Sequence, residues 1–252
     1  MYEYGFSNAY DKLQDADYNA FFEYYKKIFK KFDKNPELVL DLGCGTGNIT
    51  VKMAQAGYDM IGIDLSCEML DIARQKAADE GLDILFLNQD MTEFELYGTV
   101  DAIISTLDGI NYITEDGGLE KLFKLCENYL NPDGIMIFDI NSKYKLKEVL
   151  GNNTFVSEED NIFYIWQNNF FEEENVCSFT LDFFVKNKDG SYDRFSEYQE
   201  ERAYSKEEIE RAAEKAGLEI RGCFGGFDFS APQDTSERLF FILNKPHTKG
   251  EN

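Results

Sequence analysis

Short apolar runs alternate with stretches of helical spacing over the first part of the chain. The apolar runs predict buried strands, and the intervening stretches, with apolar residues three and four apart, predict helices. The predicted strands are 39–42, 58–64, 84–87 and 100–106, and the predicted helices are 18–32, 47–56, 66–80 and 117–130. Strand followed by helix, three times over, implies a parallel sheet with right-handed crossover connections.

The pattern changes after Asn141. Residues 151–204 are rich in aromatic side chains that alternate with polar ones, which predicts three or four antiparallel strands, with a hairpin turn at 187–190. Beyond them, Ser205 and Glu208 form a capping box for a helix over 205–216. We expect two last strands, 218–229 and 238–244, as an antiparallel pair at the sheet edge. The expected domains are therefore 1–150 with 205–245, and an inserted antiparallel β lobe at 151–204.

Glycines follow the first predicted strand. Gly43, Gly45 and Gly47 occur within five residues, and a helix is predicted from Asn48. Glycine allows a tight turn and close approach of a ligand, and a helix N-terminus attracts anionic or strongly polar groups. This turn predicts a site for a nucleoside-containing small molecule.

An acid ends the second predicted strand. Asp64 lies 21 residues after Gly43, where a carboxylate accepts hydrogen bonds from ribose hydroxyls. That spacing alone fits NAD as well. However, Asn48 stands where the NAD pattern needs its last glycine, and Asp41 precedes the first glycine by two residues.

With these residues the sequence resembles the class I S-adenosylmethionine-dependent methyltransferases. The resemblance implies that the loop from Asp41 to Gly47, which includes Cys44, holds the methionine part of the cofactor and that Asp64 holds its ribose. It also implies that Asp90 and the backbone N–H of Met91 meet the adenine. The cofactor residues expected from the resemblance are Asp41, Gly43, Cys44, Gly45, Gly47, Asp64, Leu65, Met69, Asp90, Met91 and Thr106. Met69 packs on the cofactor or only on the sheet, and the sequence does not separate the two.

The resemblance extends along the chain. Residues 130–139 match the turn and fifth strand of the family, with Asp133 in place of the first glycine. More closely, the chain resembles the YqeM-type group of small bacterial methyltransferases, through Tyr10-Asp11-Lys12-Leu13, 163–167, 192–195 and the pair Glu201-Arg202. The implied fold is α/β: a doubly wound, mostly parallel seven-stranded Rossmann-like sheet, with strand seven antiparallel between strands five and six.

Charge narrows the class of acceptor. The 252 residues carry 48 acids and 25 bases, a net charge of −23, which argues against a polyanionic nucleic-acid partner. Solubility alone is the other explanation of this acidity. The insert itself has 12 acids and four bases over 151–202, typical of a solvated sheet face or of a lid that prefers a cationic substrate.

Several further properties are expected from composition. The sequence has no apolar run of 18 residues and no secretory signal, which predicts neither a membrane span nor export. Five cysteines without a C-x-x-C motif predict reduced thiols in a cytoplasmic protein and no metal site. The oligomeric state stays open.

Candidates for acceptor chemistry lie after the fourth and fifth predicted strands and in the flanking segments. The single histidine, His247, lies in the C-terminal tail, which leaves carboxylates and tyrosines as possible bases. Tyr10 and Asp108 are the catalytic candidates, although Asp108 equally fits a helix cap. The candidate substrate contacts are Tyr10, Asn111, Tyr112, Asn141, Trp166 and Tyr204. Trp166 also fits simple core packing.

The expected function is S-adenosylmethionine-dependent methyl transfer to a small acceptor, with an amine favoured by the acidic, aromatic insert. Two alternatives stay open. One is a non-catalytic protein that binds S-adenosylmethionine and regulates a partner. The other is an NAD-dependent oxidoreductase.

Overall fold

The computed structural model describes residues 16–159 and 161–247. The strands in chain order are β1 (Leu38–Leu42), β2 (Asp59–Asp64), β3 (Leu85–Asn88), β4 (Val100–Ser105), β5 (Leu130–Asn141), β6 (Thr154–Glu159), β7 (Ile162–Phe171), β8 (Val176–Lys186), β9 (Tyr192–Arg202), β10 (Glu219–Phe224) and β11 (Arg238–Asn244). The α-helices are α1 (Tyr18–Lys31), α2 (Asn48–Gln55), α3 (Cys67–Asp79), α4 (Gly118–Tyr129) and α5 (Lys206–Ala216). A 3₁₀ turn covers Gly109–Tyr112 and a π-helical turn covers Lys145–Leu150.

Seven strands form one mostly parallel sheet in the order β10-β11-β5-β4-β1-β2-β3. Strand β11 runs antiparallel to both β5 and β10 and lies between them. The expected class I topology, with its reversed strand, is therefore confirmed. In this topology the carboxyl ends of β1, β2, β4 and β5 lie along one edge, where open α/β sheets bind their ligands.

Both faces of the sheet are covered by helices. Tyr24, Tyr25 and Ile28 of α1 are fully buried against one face, while Phe123 of α4 and Ala213 of α5 are fully buried against the other. Each large apolar side chain buried in this way contributes about 1.5–3 kcal/mol. The apolar faces read from the sequence are thus the faces that pack on the sheet.

Local signals in the sequence place the helix ends. The Ser66 hydroxyl accepts the Met69 N–H at the start of α3, and Ser205 and Glu208 form a reciprocal capping box at the start of α5. Gly217, with φ of 87°, ends α5. Such caps satisfy backbone groups that a helix end leaves open.

A second sheet is antiparallel, with strand order β6-β7-β8-β9. Phe179, Leu181, Phe183 and Val185 alternate along β8, as predicted, and the chain reverses after Lys186. One face of this sheet packs on the π-helical turn through Leu146 and Leu150. The division of the chain into two domains remains a prediction, but these four strands all fall within 154–202.

The strand predicted over 218–229 is wrong in its length. Strand β10 ends at Phe224, because the chain then turns back at Gly225, whose N–H donates to the Ser230 carbonyl. A Cβ on Gly225 would lie 2.6 Å from the Ser236 Oγ and 3.1 Å from the Pro232 Cα, so a larger residue would crowd this loop. No helix in the described part of the chain is both long enough and apolar enough to cross a bilayer.

Candidate active site

The glycine turn after β1 lies at the carboxyl edge of the sheet and is fixed there by backbone hydrogen bonds. The N–H groups of Gly43 and Cys44 both donate to the Ile63 carbonyl, at 2.8 and 3.0 Å. Gly43, Gly45 and Gly47 all have positive φ, of 70°, 54° and 76°. Cys44 is buried inside the turn, where its side chain fills space. Burial also raises the pKa of its thiol strongly.

Asp64, at the end of β2, connects this turn to the next helix. One carboxylate oxygen accepts the Gly45 N–H at 2.7 Å and the other accepts the Ser66 N–H at 2.8 Å. Partial burial raises the pKa of Asp64, against the lowering effect of these N–H donors. The Leu65 N–H also lowers this pKa by hydrogen bonding, and a carboxylate has about four lone-pair sites, so Asp64 retains capacity to accept a ligand hydroxyl.

Asp41 presents an unpaired oxygen at the bottom of a cleft. The Thr50 hydroxyl donates to Oδ2 at 2.6 Å, while Oδ1 is buried and has no hydrogen-bond partner among the described residues. Burial raises the pKa of Asp41 to about 7. The cleft has about 330 Å³ of open space and is lined by Tyr18, Asp41, Gly43, Cys44, Gly45, Thr46, Asn48, Ile49, Thr106 and Leu107. A buried carboxylate of this kind requires a cation or donor to satisfy it.

The expected adenine residues lie around the same turn. The Met91 methyl is 3.1 Å from the position that a Cβ on Gly43 would occupy. Asp90 Oδ1 accepts the N–H and hydroxyl of Thr92, at 2.7 and 2.8 Å. Leu65 is 71% exposed, and Met69 is half-buried in the first turn of α3. Leu65, Met69, Asp90 and Met91 are not among the residues that line the cleft around Asp41. They follow the ends of β2 and β3 at the same edge of the sheet.

A strained turn after β4 borders the cleft. Thr106 shares a hydrogen bond with the Tyr25 hydroxyl at 2.7 Å, and Leu107 and Asp108 have φ of 58° and 56°. Both of their N–H groups donate to the carboxylate of Asp139, at 2.9 and 3.0 Å. Positive φ in non-glycine residues is costly and persists where the surroundings enforce it, often at functional sites.

Arg238, at the start of β11, completes this turn. Its guanidinium donates to Asp139 and forms an ion pair with Asp108, with a nitrogen–oxygen distance of 2.8 Å. Asp139 is fully buried, and its pKa is raised by burial although Arg238 lowers it. Asp108 is therefore bound to a cation and does not act as a helix cap through its side chain.

A second cavity lies beyond Asp108, between the ends of β4 and β5 and the antiparallel sheet. It encloses about 820 Å³, including solvent at its mouth. The lining residues are Asp108, Tyr112, Asn141, Lys145, Leu150, Tyr164, Trp166, Phe179, Leu181, Phe183, Gln199, Glu201 and Arg238. Five of these are aromatic. We call this space the acceptor cavity.

Glu201 is the buried carboxyl of the acceptor cavity. It is 4% exposed, and Asn141 Nδ2 donates to its Oε2 at 2.7 Å. Burial and the nearby charge of Asp108 raise its pKa well above the usual value, although Asn141, Lys145 and Arg238 act in the opposite direction. Sequence reasoning singled out the Glu201-Arg202 pair as a mark of resemblance but missed it as a site. The available signal was the alternation of β9, which places Glu201 on the same face as Gln199.

Three predicted substrate contacts do line the acceptor cavity. The Tyr112 hydroxyl donates to Gln199 at 3.0 Å, and the Asn141 carbonyl oxygen Oδ1 accepts from Lys145 at 2.9 Å. Trp166 packs edge-on against Phe179, with ring centroids 5.9 Å apart, and its buried indole N–H finds no acceptor among the described residues. Trp166 therefore packs against Phe179 and also lines the cavity.

Two other candidates lie outside the cavity wall. The fully buried Asn111 amide donates to the carbonyls of Asn141 and Arg202 and accepts the Asn141 N–H, at 2.8–3.1 Å. Tyr204 is buried in the core and its hydroxyl donates to the Ile113 carbonyl. Asn111 therefore connects the two sheets, while Tyr204 packs in the core of the seven-stranded sheet. The catalytic candidate Tyr10 lies outside the described residues.

The comparisons with known proteins agree with this geometry. Residues 39–134 match a methyltransferase domain family. The chain is 36% identical to a putative methyltransferase, YqeM of Bacillus subtilis, over 97% of both proteins. The protein belongs to the YqeM-type group of S-adenosylmethionine-dependent methyltransferases. As a member of that family it is an enzyme that uses S-adenosylmethionine.

Solved structures extend the comparison to the fold. A S-adenosylmethionine-dependent methyltransferase from Clostridium acetobutylicum is 34% identical, with a TM-score of 0.89, and the alignment covers 96% of this chain and 98% of that one. The sugar N-methyltransferase KedS8 from a Streptoalloteichus species shares the fold at 18% identity, with a TM-score of 0.78 over 96% of this chain and 94% of that one. These methyltransferases therefore have both sheets in common with this protein.

Proposed function

We propose that this YqeM-type methyltransferase transfers a methyl group to a small, amine-containing acceptor bound in the acceptor cavity. The observation that carries the proposal is the position of the strained turn. Thr106 and Leu107 line the cofactor cleft, while the next residue, Asp108, lines the acceptor cavity. A cofactor in the first space and an acceptor in the second would meet at this turn.

The residues around the first cleft fit S-adenosylmethionine. The unpaired Oδ1 of Asp41 suits the ammonium of the methionine part, and the free lone pairs of Asp64 suit the ribose hydroxyls. Asp90 and Met91 are proposed to contact the adenine, with Leu65 and Met69 against its faces. When bound, S-adenosylmethionine supplies a methyl group that its sulfonium has already activated.

The protein's main contribution would then be alignment. Holding two reactants in line supplies up to about 7–11 kcal/mol of a bimolecular barrier. Asp139 accepts the N–H groups of the turn between the two spaces, and Arg238 pairs with both Asp139 and Asp108. A rigid turn of this kind keeps the acceptor atom at a constant distance from the cofactor cleft.

The acceptor cavity has the chemistry of an amine site. Tyr112, Tyr164 and Trp166 offer aromatic faces, and such faces attract a cation by about 0.5–2 kcal/mol. Glu201 adds a carboxyl among them. The net charge of −23 further favours cations over polyanions in solution. The fold shared with a sugar N-methyltransferase is consistent with a small acceptor bearing nitrogen.

A methyl-transfer assay tests the proposal. Purified protein is supplied with radiolabelled S-adenosylmethionine and separate panels of amino sugars, other small amines, small carboxylic acids, phenols and bulk RNA. Transfer to members of the amine panels is expected. Robust transfer to RNA, with none to small molecules, would refute both the acceptor class and the argument from charge.

The two alternatives have different outcomes. A non-catalytic cofactor-binding protein would be stabilised by S-adenosylhomocysteine and would transfer no methyl group to any panel. An oxidoreductase would be stabilised by NAD instead.

A further inference from the structure

Two carboxyl groups line the acceptor cavity, and they differ in how they are paired. Asp108 forms an ion pair with Arg238 at 2.8 Å, a guanidinium that it shares with Asp139. Glu201 has no ion pair within the described residues; its shown contact is the neutral amide of Asn141, at 2.7 Å. Glu201 is thus the carboxyl with capacity for a cationic ligand.

The surroundings of Glu201 make it responsive to such a ligand. The groups that face it are Asp108 from the turn after β4, Lys145 from the π-helical turn, Arg238 from β11 and the Cys177 thiol from β8. The phenols of Tyr112 and Tyr164 line the same cavity. The Lys145 ammonium donates to Asn141 Oδ1 at 2.9 Å, while Asn141 Nδ2 donates to Glu201, so the two charged groups bind different atoms of the same amide.

We propose that Glu201 binds the ammonium group of the acceptor and takes a proton from it, which makes it the residue that selects and activates amines. This inference rests on the proposed function, since it assigns the amine of that same acceptor. It assigns to Glu201 the proton transfer that sequence reasoning gave to Tyr10 or Asp108.

The step balances as follows. An acceptor R–NH₃⁺ enters beside the Glu201 carboxylate, and one proton moves from nitrogen to the carboxylate. The neutral amine forms a new N–C bond to the methyl carbon, while the electron pair of the broken C–S bond stays on sulfur. The product leaves as R–NH₂–CH₃⁺, and Glu201 releases its proton to water. No oxidant or further reactant is needed.

Burial supports this cycle physically. Because the cavity raises the pKa of Glu201 well above its usual value, the carboxylate is a stronger base there than in water. A paired ammonium favours the charged form of Glu201, so the carboxylate is present when the cation binds. Burial favours the transfer of the proton, because the transfer leaves two neutral groups in the cavity. An uncharged alcohol offers no such pairing, and the cavity would therefore favour nitrogen over oxygen.

The test compares Glu201→Gln with Glu200→Gln. Gln keeps the shape of the side chain and the bond to Asn141. Glu200 is adjacent but lies on the other face of β9, where it accepts the Tyr198 hydroxyl at 2.6 Å. Binding of S-adenosylhomocysteine, measured by calorimetry, should be the same in both variants and in the wild type, which shows that the fold is intact.

The readout is kcat/KM as a function of pH for two acceptors, a strongly basic amine and a weakly basic amine already neutral at about pH 7. For the strongly basic amine, the kcat/KM of Glu201→Gln should be about a hundredfold or more below that of the wild type near neutral pH. The loss should shrink as the pH approaches the pKa of the amine, because free amine then enters directly. With the weakly basic amine, the same variant should retain most of its activity.

An infrared titration gives a readout independent of turnover. As the pH is lowered, the C=O stretch of the protonated Glu201 carboxyl should appear at a higher pH than that of an ordinary glutamate, appear only at lower pH when the amine is bound, and be absent from Glu201→Gln. Unchanged pH profiles in Glu201→Gln, with an active wild type, would overturn the inference. A wild type that methylates no amine would instead overturn the proposed function.

Discussion

Arg238 and Asp108 form an ion pair, at 2.8 Å, that joins the first residue of β11 to the strained turn after β4. The same guanidinium contacts Asp139, which is fully buried and holds the N–H groups of Leu107 and Asp108. Strand β11 therefore contributes to the wall between the cofactor cleft and the acceptor cavity, although it lies far along the sequence.

Removing Arg238 should destabilise the fold strongly. Arg238→Met leaves Asp139 buried without its cation, and breaking a buried pair in this way costs about 3–5 kcal/mol. The matched control is Arg194→Met, since Arg194 is 60% exposed and its bridge to Asp182 should be worth less than about 1 kcal/mol. Urea unfolding measures both; equal losses in the two variants would contradict the role given to Arg238.

The loss of unfolding free energy in Arg238→Met should depend on pH. Burial already raises the pKa of Asp139, and loss of the lowering effect of Arg238 raises it further. A carboxyl whose pKa is higher in the folded than in the unfolded state contributes stability below its unfolded pKa and loses it as pH rises through the folded value. We therefore expect a smaller deficit at about pH 5 than at about pH 8. A deficit independent of pH would exclude Asp139 as its cause.

Asp41 should make cofactor binding pH-dependent. Its pKa is raised to about 7 by burial, its Oδ1 has no hydrogen-bond partner among the described residues, and Asp41 lines the cleft. If it binds an ammonium as the carboxylate, affinity for S-adenosylhomocysteine should rise as pH increases through about 7 and protons should be released on binding. Calorimetry in buffers of different ionisation enthalpy measures that release. Asp41→Asn should bind more weakly and show no release, and release of equal size in both proteins would argue against Asp41.

Asp64→Ala should weaken cofactor binding by at least tenfold, because a hydrogen bond to a charged group is worth about 1.5–3 kcal/mol. The structure adds a second effect, since Asp64 also holds the N–H groups of Gly45 and Ser66. Asp59→Ala, at the exposed start of the same strand, is the control. Unchanged affinity by calorimetry would exclude Asp64 as the ribose ligand.

The cofactor itself can be tested by thermal shift. S-adenosylhomocysteine at about 100 times its dissociation constant should stabilise the protein by about 2.7 kcal/mol. NAD should have no effect at the same concentration. Equal stabilisation by NAD would contradict the assignment of the cleft.

Gly47→Ala should disrupt the cofactor turn. Its φ is 76°, and an added Cβ would lie 2.8 Å from the Ala73 Cβ on α3. Gly81→Ala is the control, because Gly81 has a φ of 67° with open space around it. The control should lose about 1–2 kcal/mol of unfolding free energy, because alanine adopts the left-handed conformation less easily than glycine. Gly47→Ala should lose about 1–3 kcal/mol more, from overpacking. Equal losses of unfolding free energy in Gly47→Ala and Gly81→Ala would show that α3 shifts to make room for the added methyl group.

The fold was predictable where its determinants are local. The glycine turn, the cap at Ser66 and the capping box at Ser205 each lie within a few residues of the structure they determine. The length of β10 was wrong because the apolar residues after Phe224, such as Phe227, pack on Phe21 of α1 and do not continue the strand.

The acceptor side was less predictable because its contacts span long stretches of sequence. Asn141 meets Glu201 across 60 residues, and Asn111 meets the Arg202 carbonyl across 91. No spacing rule indicates that a glutamate on an antiparallel strand faces the end of a parallel one. Asp108 was a catalytic candidate from its place after the fourth predicted strand, and it lines the acceptor cavity, but its pairing with Arg238 could be seen only once β11 was placed beside β5.

The turn from Thr106 to Asp108 has a thermodynamic consequence because it separates the two proposed ligand sites. If one ligand shifts the turn, the other gains or loses affinity, and linkage requires the factor to be identical in both directions. Acceptor binding measured with and without S-adenosylhomocysteine should thus change by the same ratio as S-adenosylhomocysteine binding measured with and without acceptor. The sign of that coupling decides whether the enzyme holds its spent cofactor until the methylated product has left.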